Sequence, residues 1–144
     1  MKTSGLVWAL IVTSFVGLLD SSYLLAEKLL GGTPTCFLGG GCEVVTTSSY
    51  SAVFGIPIAL FGVVFYLVVL LSSLIYQDIK KRVLVKIIFA LSFFAFLASL
   101  YFVYLQFFVL KALCPYCLLS AGTSTLLLVF SALLSLRVKS FNSK

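Results

Sequence analysis

Residues 112–136 read ALCPYCLLSAGTSTLLLVFSALLSL, an uncharged stretch with a Cys-x-x-Cys pair near its start. A bilayer core about 30 Å thick needs roughly 20 apolar residues per helix, so this stretch is long enough to cross it. Three more uncharged stretches precede it, at residues 3–19, 52–77 and 87–110. The pattern predicts four transmembrane helices, with bounds of about 5–26, 53–76, 84–110 and 113–137.

The composition also indicates a membrane protein. The chain has 144 residues, of which 62% are hydrophobic and 10% charged, and its mean hydropathy is +1.22. These values lie far from the balance of a soluble domain. Because the four helices use most of the chain, we expect a single all-α membrane domain over residues 1–144, a four-helix bundle.

The basic residues predict how the helices are oriented. Four crossings put both termini and the middle loop on one side, and that side carries eight of the ten lysines and arginines, namely Lys2, Lys80, Lys81, Arg82, Lys86, Arg137, Lys139 and Lys144. Cytoplasmic loops are enriched in Lys and Arg, so we expect both termini in the cytoplasm and residues 27–52 outside. The charges are scattered over short loops and tails, which predicts no nucleic-acid binding.

The connection between the first two helices is long enough to carry function. Residues 27–52 form a loop of about 25 residues, whereas most connections are much shorter. Its second half, Glu43 to Ser51, is predicted to form a short half-helix with the acidic residue in the first turn. Gly55 and Pro57 are expected to open the second transmembrane helix, since proline is tolerated in a first turn.

All four cysteines fall on the outer side in this topology. Cys36 and Cys42 lie in the long loop, and Cys114 and Cys117 lie at the outer end of the last helix. Residues i and i+3 share a helix face, so the last two can form a disulfide across one turn. Cys114 is the predicted N-cap, with Pro115 at the first helical position, and a helix N-terminus stabilises a thiolate. This pair is suited to thiol-disulfide exchange.

The loop pair has the character of a shuttle. Residues 39–41 are all glycine, which lets the chain bend at little steric cost. A mobile cysteine pair beside a fixed one suggests a relay, because mixed disulfides carry electrons from one pair to another. A helical bundle offers no nicotinamide fold, so the electron acceptor expected in its apolar interior is a lipid-soluble quinone.

Other interpretations of the cysteines are weaker. Structural zinc knuckles leave two to four residues between paired ligands, whereas five separate Cys36 from Cys42, and no metal is predicted. Two inert structural disulfides in an oxidising compartment are the more serious rival. A soluble glutaredoxin-like protein is excluded, because its motif would follow a strand of a βαβ unit.

The residues also resemble a known family. Four motifs resemble the vitamin K epoxide reductase family, in particular its bacterial and archaeal members. They are the run from Cys42 to Pro57 (CEVVTTSSYSAVFGIP), Phe61-Gly62 in the second helix, Ser22-Tyr23-Leu24 in the first helix, and the late Cys-x-x-Cys. The resemblance implies a four-helix bundle around a quinone. It implies that Cys114 exchanges with the loop pair and that Cys117 faces the quinone.

The resemblance further implies a set of quinone contacts, which are Ser48, Tyr50, Phe54 and Phe65. Ser48 matches a family serine on the half-helix that caps the pocket, although a hydroxyl there can also serve a nearby backbone group. The aromatic residues can equally pack or face lipid. Where vitamin K-processing animal members carry Asn and Tyr, this chain has Ile58 and Ala121, and that difference argues against epoxide reduction.

The function predicted from these residues is a membrane quinone reductase. It oxidises a separate thioredoxin-fold, DsbA-like partner on the outer face of the prokaryotic cytoplasmic membrane and so drives disulfide formation. A separate partner is expected because many bacterial relatives carry a fused thioredoxin-like domain and this chain ends soon after its fourth helix. The acceptor is a ubiquinone, a menaquinone or a vitamin K-type quinone.

Two alternatives remain. One is a vitamin K quinone or epoxide reductase, and the other is a non-enzymatic membrane protein with two structural disulfides. Asp20 is a candidate for aiding proton delivery to the quinone, because an acidic residue inside a transmembrane helix often has a functional role.

Overall fold

The computed structural model describes residues 2–36, 41–141 and 143. In that part of the chain, four helices are long and apolar enough to cross a membrane, and a fifth is short. In chain order they are α1 (Thr3–Leu29), α2 (Gly41–Thr47), α3 (Ile58–Ile79), α4 (Arg82–Tyr104) and α5 (Pro115–Phe141). This confirms the predicted four-helix membrane bundle with a half-helix in its long loop, although the half-helix begins at Gly41 and ends at Thr47, before Ser48 and the predicted end at Ser51.

The connection between α3 and α4 is much shorter than the sequence suggested. The predicted bounds left residues 77–83 to link these helices, but only Lys80 and Lys81 lie between them. Lys80 has a left-handed backbone, with φ of 52°, and its N–H bonds to the Tyr76 carbonyl. Both helices continue through charged residues beyond the apolar stretch, because a helix satisfies its own backbone where the bilayer ends. α3 and α4 are therefore antiparallel neighbours joined by a two-residue turn.

The start of the second transmembrane helix also differs from the prediction. Residues 53–57 were expected to be helical, but Ala52–Val53 and Ile56–Pro57 form a two-stranded antiparallel hairpin. Its turn residues, Phe54 and Gly55, both have positive φ, at 52° and 81°, as a two-residue hairpin turn requires. α3 therefore begins at Ile58, directly after the hairpin.

The helices pack in a ring. α1 packs against α3 and α5, and α4 packs against α5. Small residues allow the close approach of α1 and α3: the Tyr66 ring occupies the space of a side chain at Gly17, and Ser21 lies against Gly62. Such small residues are typical of helix contacts in membranes, where van der Waals packing drives association.

The interior of the bundle has two halves. The half near the chain termini, here called the closed half, is filled by side chains of all four long helices, namely Leu6, Val7, Leu10, Val69, Tyr76, Val85, Ile88, Leu127 and Leu134, with Tyr66 at its border with the other half. The half near the cysteines, here called the cavity half, encloses a large space. The hairpin and α2 lie over this space, so the long loop acts as its cap.

Candidate functional site

The four cysteines lie together at the cavity half. Cys36 and Cys42 form a disulfide with their Cα atoms 5.8 Å apart. Cys114 and Cys117 are free thiols. Cys42 and Cys114 have no exposed surface, whereas Cys36 is half-buried. The two pairs thus differ in their redox state, while each has one buried and one half-buried cysteine.

Cys114 is held by the end of α4. That helix finishes in a π-helical turn, Leu105–Val109, which turns the buried side chain of Gln106 toward the start of α5. The Gln106 Oε1 atom accepts a hydrogen bond from the Cys114 N–H at 3.0 Å. The Cys114 carbonyl in turn accepts from the Leu118 N–H at 3.0 Å. Cys114 therefore stands directly before α5, as the sequence predicted, with its backbone fixed on both sides.

The electrostatics of this position favour a reactive thiol. The Cys117 thiol donates a hydrogen bond to Cys114, and this bond, helped by the backbone N–H groups of Cys117 and Tyr116, lowers the pKa of Cys114 to about 7 against the opposing effect of burial. The thiolate is the nucleophile in disulfide exchange. Cys114 is accordingly ionised more readily than an ordinary cysteine.

One side of the long loop is held against α5 by two tyrosines. The Tyr116 hydroxyl donates to the Thr35 carbonyl at 3.1 Å, and the Tyr23 hydroxyl lies 3.3 Å from the Thr35 Oγ1 atom. The rings of Tyr23 and Tyr116 lie against each other, with centroids 5.2 Å apart. Because Thr35 precedes Cys36, these contacts fix the first loop cysteine beside the start of α5.

The other side of the loop touches the residue before Cys114. At Gly41 a side chain would overlap the Leu113 carbonyl, so only glycine permits this contact. Gly41 adjoins Cys42 and Leu113 adjoins Cys114, so the close backbone contact brings the two buried cysteines into the same neighbourhood. The predicted bend at the glycines before position 41 lies outside the described residues.

A lysine holds the cap in place. The Lys28 Nζ atom, near the end of α1, donates to the Thr46 carbonyl at 3.0 Å and to the Ser51 hydroxyl. Thr46 lies in the last turn of α2, where unpaired carbonyls attract a cation. Lys28 thus connects α1 to the last turn of α2 and to the residue before the hairpin, within the segment that covers the cavity.

The cavity has a volume of about 490 Å³, within the range of small-molecule sites. Its walls are mostly apolar, and Cys117 is part of them. Three of the four predicted quinone contacts, Ser48, Tyr50 and Phe65, also line it. The fourth, Phe54, does not line it: the residue sits at the tip of the hairpin with its side chain fully exposed. Positive φ at the turn directs it away from the bundle.

One hydroxyl cluster contributes Tyr66, Ser120 and Ser124 to the cavity wall. The Tyr66 hydroxyl lies 2.7 Å from Thr123 Oγ1, 3.1 Å from Ser120 Oγ and 3.2 Å from Ser124 Oγ. Ile58 and Ala121 also line the cavity, and both are apolar. The Ser48 hydroxyl donates to the Val45 carbonyl at 2.8 Å, so it serves the cap backbone while it faces the cavity.

Sequence reasoning did not find several of these residues. Gln106 and Lys28 carried a usable signal, because a polar side chain in or beside an apolar helix is rarely without a partner. Tyr66 and Tyr116 carried none, since they are two of seven tyrosines and nothing in the order of residues separates them from the others.

Four membrane-spanning helices around an apolar cavity, with two adjacent cysteine pairs at one end, define a membrane protein with a thiol redox function. The sequence profile of the Vitamin K epoxide reductase family matches residues 8–132. The chain is also 35% identical, over 115 residues, to the thiol-disulfide oxidoreductase LTO1 of Arabidopsis thaliana. The match covers 74% of this chain but 31% of that protein, so the chain spans about a third of the relative's length. The chain belongs to the vitamin K epoxide reductase family.

Proposed function

We propose that the protein is a membrane thiol-disulfide oxidoreductase that takes electrons from an external thioredoxin-fold dithiol protein and passes them to a quinone. One observation carries this proposal: the two cysteines at the start of α5 face different neighbours. Cys114 lies on the side of the loop disulfide, whereas Cys117 lines the cavity. A purely structural disulfide does not require one cysteine beside a second cysteine pair and the other in a cavity wall.

The burial of the cysteines supports an order for the relay. Cys36 is half-buried and is the loop cysteine that an external protein can reach, while Cys42 is fully buried beside Cys114. The partner dithiol reduces the loop disulfide through Cys36. Cys42 then attacks a disulfide between Cys114 and Cys117, and Cys36 resolves the mixed disulfide, which restores the loop disulfide and leaves two thiols at α5.

The low pKa of Cys114 fits this order. When Cys36 resolves the mixed disulfide between Cys42 and Cys114, Cys114 is the leaving thiol, and thiols of lower pKa leave faster. The hydrogen bond from Cys117 that stabilises the thiolate is available at that moment, because Cys117 is then a free thiol.

The cavity supports a quinone as the acceptor. Its size and apolar lining suit a substituted ring, and Ser48, Tyr50, Phe65 and Cys117 would surround that ring. Phe61 and Phe94 line the cavity while 54% and 68% of their surfaces remain exposed, so the space reaches the lipid-facing surface between α3 and α4. A bound quinone would supply an acceptor for two electrons and two protons.

The cavity wall does not favour vitamin K epoxide as the substrate. At the positions where vitamin K-processing members of the family carry Asn and Tyr, the chain places Ile58 and Ala121, and both line the cavity. Apolar side chains at these two positions offer no hydrogen bond to an epoxide oxygen placed against them, and an unpaired polar group in an apolar site costs roughly 1–3 kcal/mol. Disulfide formation in exported proteins is therefore the proposed outcome.

The distribution of basic residues supports a location and an orientation. With the lysine- and arginine-rich ends in the cytoplasm, the four cysteines lie on the outer face of a prokaryotic cytoplasmic membrane. Exported proteins acquire disulfides on that face, and the partner would meet Cys36 there.

The proposal is tested by quinone reduction with purified protein in nanodiscs. A reduced thioredoxin-fold protein serves as donor, and short-chain ubiquinone and menaquinone analogues serve as acceptors. We expect turnover with the unmodified protein, background rates with Cys117→Ala and with Cys36→Ala, and normal rates with Leu119→Ala, an exposed position on the same helix. Equal rates for the unmodified protein and Cys117→Ala would overturn the redox assignment, and turnover of vitamin K epoxide would overturn the choice of substrate.

A further inference from the structure

Asp20 is a buried acid that the electron path does not use. It lies within α1, 6% of its surface is exposed, and among the described residues neither carboxylate oxygen has a hydrogen-bond partner. A buried charge without a partner is costly. A carboxyl group without a fixed partner is free to change between its protonated and ionised forms.

The structure places Asp20 next to the redox pair. Asp20 and Tyr23 are three residues apart on α1 and share a face, and the Tyr23 ring packs on Tyr116 in the first turn of α5. That face of α1 therefore lies against the residues that carry the Cys-x-x-Cys pair. The carboxyl group is close enough to interact electrostatically with both Cys114 and Cys117.

The surroundings contain few other titratable groups. From α5 the groups that face Asp20 are Cys114, Tyr116 and Cys117. On α1 itself Tyr23 lies one turn away. The nearest titratable side chain of α3 is Tyr66, and its hydroxyl is engaged with the serines and threonine of α5. No lysine or arginine of the described chain pairs with the carboxylate.

We propose that Asp20 holds the proton that Cys114 gives up in each redox cycle. This inference rests on the proposed function, because it assigns a proton path to the same site. After the loop dithiol has reduced the disulfide of α5, Cys114 and Cys117 are both thiols. The proton of Cys114 then passes to the Asp20 carboxylate through one bridging water, because among the described residues no group lies within hydrogen-bond distance of either carboxylate oxygen. This leaves a thiolate near a neutral carboxylic acid.

The reoxidation step balances with this assignment. The Cys114 thiolate and the Cys117 thiol form a disulfide and release two electrons and one proton, and the Asp20 carboxylic acid releases the second proton. Two electrons and two protons reduce the quinone of the proposed function to a hydroquinone. Asp20 returns to its carboxylate form, ready for the next proton from Cys114. The negative charge at the site stays at one throughout, which limits the cost of burying it.

Infrared difference spectroscopy tests the proton on Asp20 directly. The chain has two aspartates, Asp20 and Asp78, so an Asp78→Asn variant labelled with carbon-13 aspartate carries the label at position 20 alone. Asp78 is exposed at the opposite end of α3. Cys36→Ser and Cys42→Ser substitutions in the same chain leave Cys114 and Cys117 as the redox pair. This design does not alter Asp20, so it works even if Asp20→Asn fails to fold.

We expect the carbonyl band of a labelled, protonated acid when dithiothreitol reduces the pair, and we expect its loss when diamide reoxidises the pair. A labelled band that is the same in both states overturns the proposal. Failure of the quinone assay above, in contrast, overturns the proposed function whatever the infrared result is.

A kinetic comparison adds a second readout. Asp20→Asn should lower the rate of quinone reduction roughly a hundredfold, as is common for the loss of an acid-base group, and Asp20→Glu should restore most of it. Glu27→Gln, the same chemical change two turns further along α1, is the matched control and should leave the rate unchanged. A rate for Asp20→Asn equal to that of Glu27→Gln would overturn the proposal.

Discussion

The two halves of the bundle use the same four helices in opposite ways. In the closed half, large apolar side chains from every helix meet and fill the interior, whereas in the cavity half the same helices stay apart around about 490 Å³ of space. Every cysteine and the buried Asp20 lie at the cavity half. The comparison indicates that the closed half holds the helices together and allows the other half to keep a space for a ligand.

Gly41→Val should give the largest effect on the redox site. A side chain there overlaps the Leu113 carbonyl, so the loop would be pushed away from the start of α5. We expect electron transfer from the loop pair to Cys114 to slow about a hundredfold, because small displacements of reacting groups cost rates of that order. Stopped-flow measurement of the reoxidation of the reduced loop pair tests this.

Gly122→Ala is the matched control for that substitution. A side chain at Gly122 meets open space, and alanine favours a helix over glycine by about 1 kcal/mol. Its transfer rate should equal that of the unmodified protein. Equal rates for Gly41→Val and Gly122→Ala would show that the contact at Leu113 does not position the loop.

Leu127→Ala should lower the stability of the closed half without changing quinone binding. Leu127 has no exposed surface, so the truncation leaves a space in the core. We expect a loss of about 2 kcal/mol in the free energy of unfolding by detergent, less than the larger core truncations in soluble proteins, because lipid offers an equally apolar environment. The KM for quinone should stay unchanged.

Phe61→Ala should weaken quinone binding and leave the stability of the bundle nearly unchanged. This residue lines the cavity but is 54% exposed, so its loss should change the unfolding free energy by less than about 0.5 kcal/mol. The KM for quinone should rise severalfold. If Leu127→Ala raises the KM as much as Phe61→Ala does, the two halves do not divide stability from binding as described.

Lys28→Met should loosen the cap over the cavity half. The loss of the hydrogen bonds to the Thr46 carbonyl and the Ser51 hydroxyl should cost about 1 kcal/mol locally. Hydrogen exchange of the backbone amides of residues 44–51 should then quicken about fivefold, with no change in the closed half. Lys111→Met, at an exposed lysine of the same end, is the control, and equally fast exchange in that variant would contradict the role of Lys28.

The smallest expected effect is a shift in a titration. With the loop disulfide intact, the ultraviolet absorbance of the Cys114 thiolate should rise with pH through a midpoint of about 7, because the lowered pKa leaves the thiol protonated only below that value. Cys117→Ala removes the hydrogen bond that stabilises the thiolate, so its midpoint should lie higher. An unchanged midpoint would mean that another group lowers the pKa of Cys114.

The sequence predicted the helices of this fold better than their ends. Hydropathy located all four transmembrane helices, because an apolar stretch of that length has few alternatives in a bilayer. Hydropathy placed the start of α3 near residue 53 and missed the hairpin. A positive φ is uncommon for a bulky residue such as Phe54, and no local sequence pattern indicates it. The π-helical turn at the end of α4 was also missed, because it depends on the contact between Gln106 and Cys114.

The candidate site was also predicted only in part from the sequence. The cysteines were found from spacing alone, and Ser48, Tyr50 and Phe65 were named from a resemblance. Which aromatic residues reach the cavity depends on helix rotation and on the hairpin, and this is why Phe54 was named together with residues that line the cavity. The contacts of Thr35 with Tyr23 and Tyr116 join residues far apart in the chain, so no local pattern could reveal them.

Trapping the mixed disulfide between the two cysteine pairs tests the central claim most directly. In a Cys36→Ser, Cys117→Ser variant, Cys42 and Cys114 are the remaining cysteines, and mass spectrometry of the digested protein can identify a linked peptide. We predict an efficient disulfide between Cys42 and Cys114, and little between Cys36 and Cys114 in the matching Cys42→Ser, Cys117→Ser variant. Preferential trapping of Cys36 with Cys114, or no disulfide in either variant, would contradict the relay.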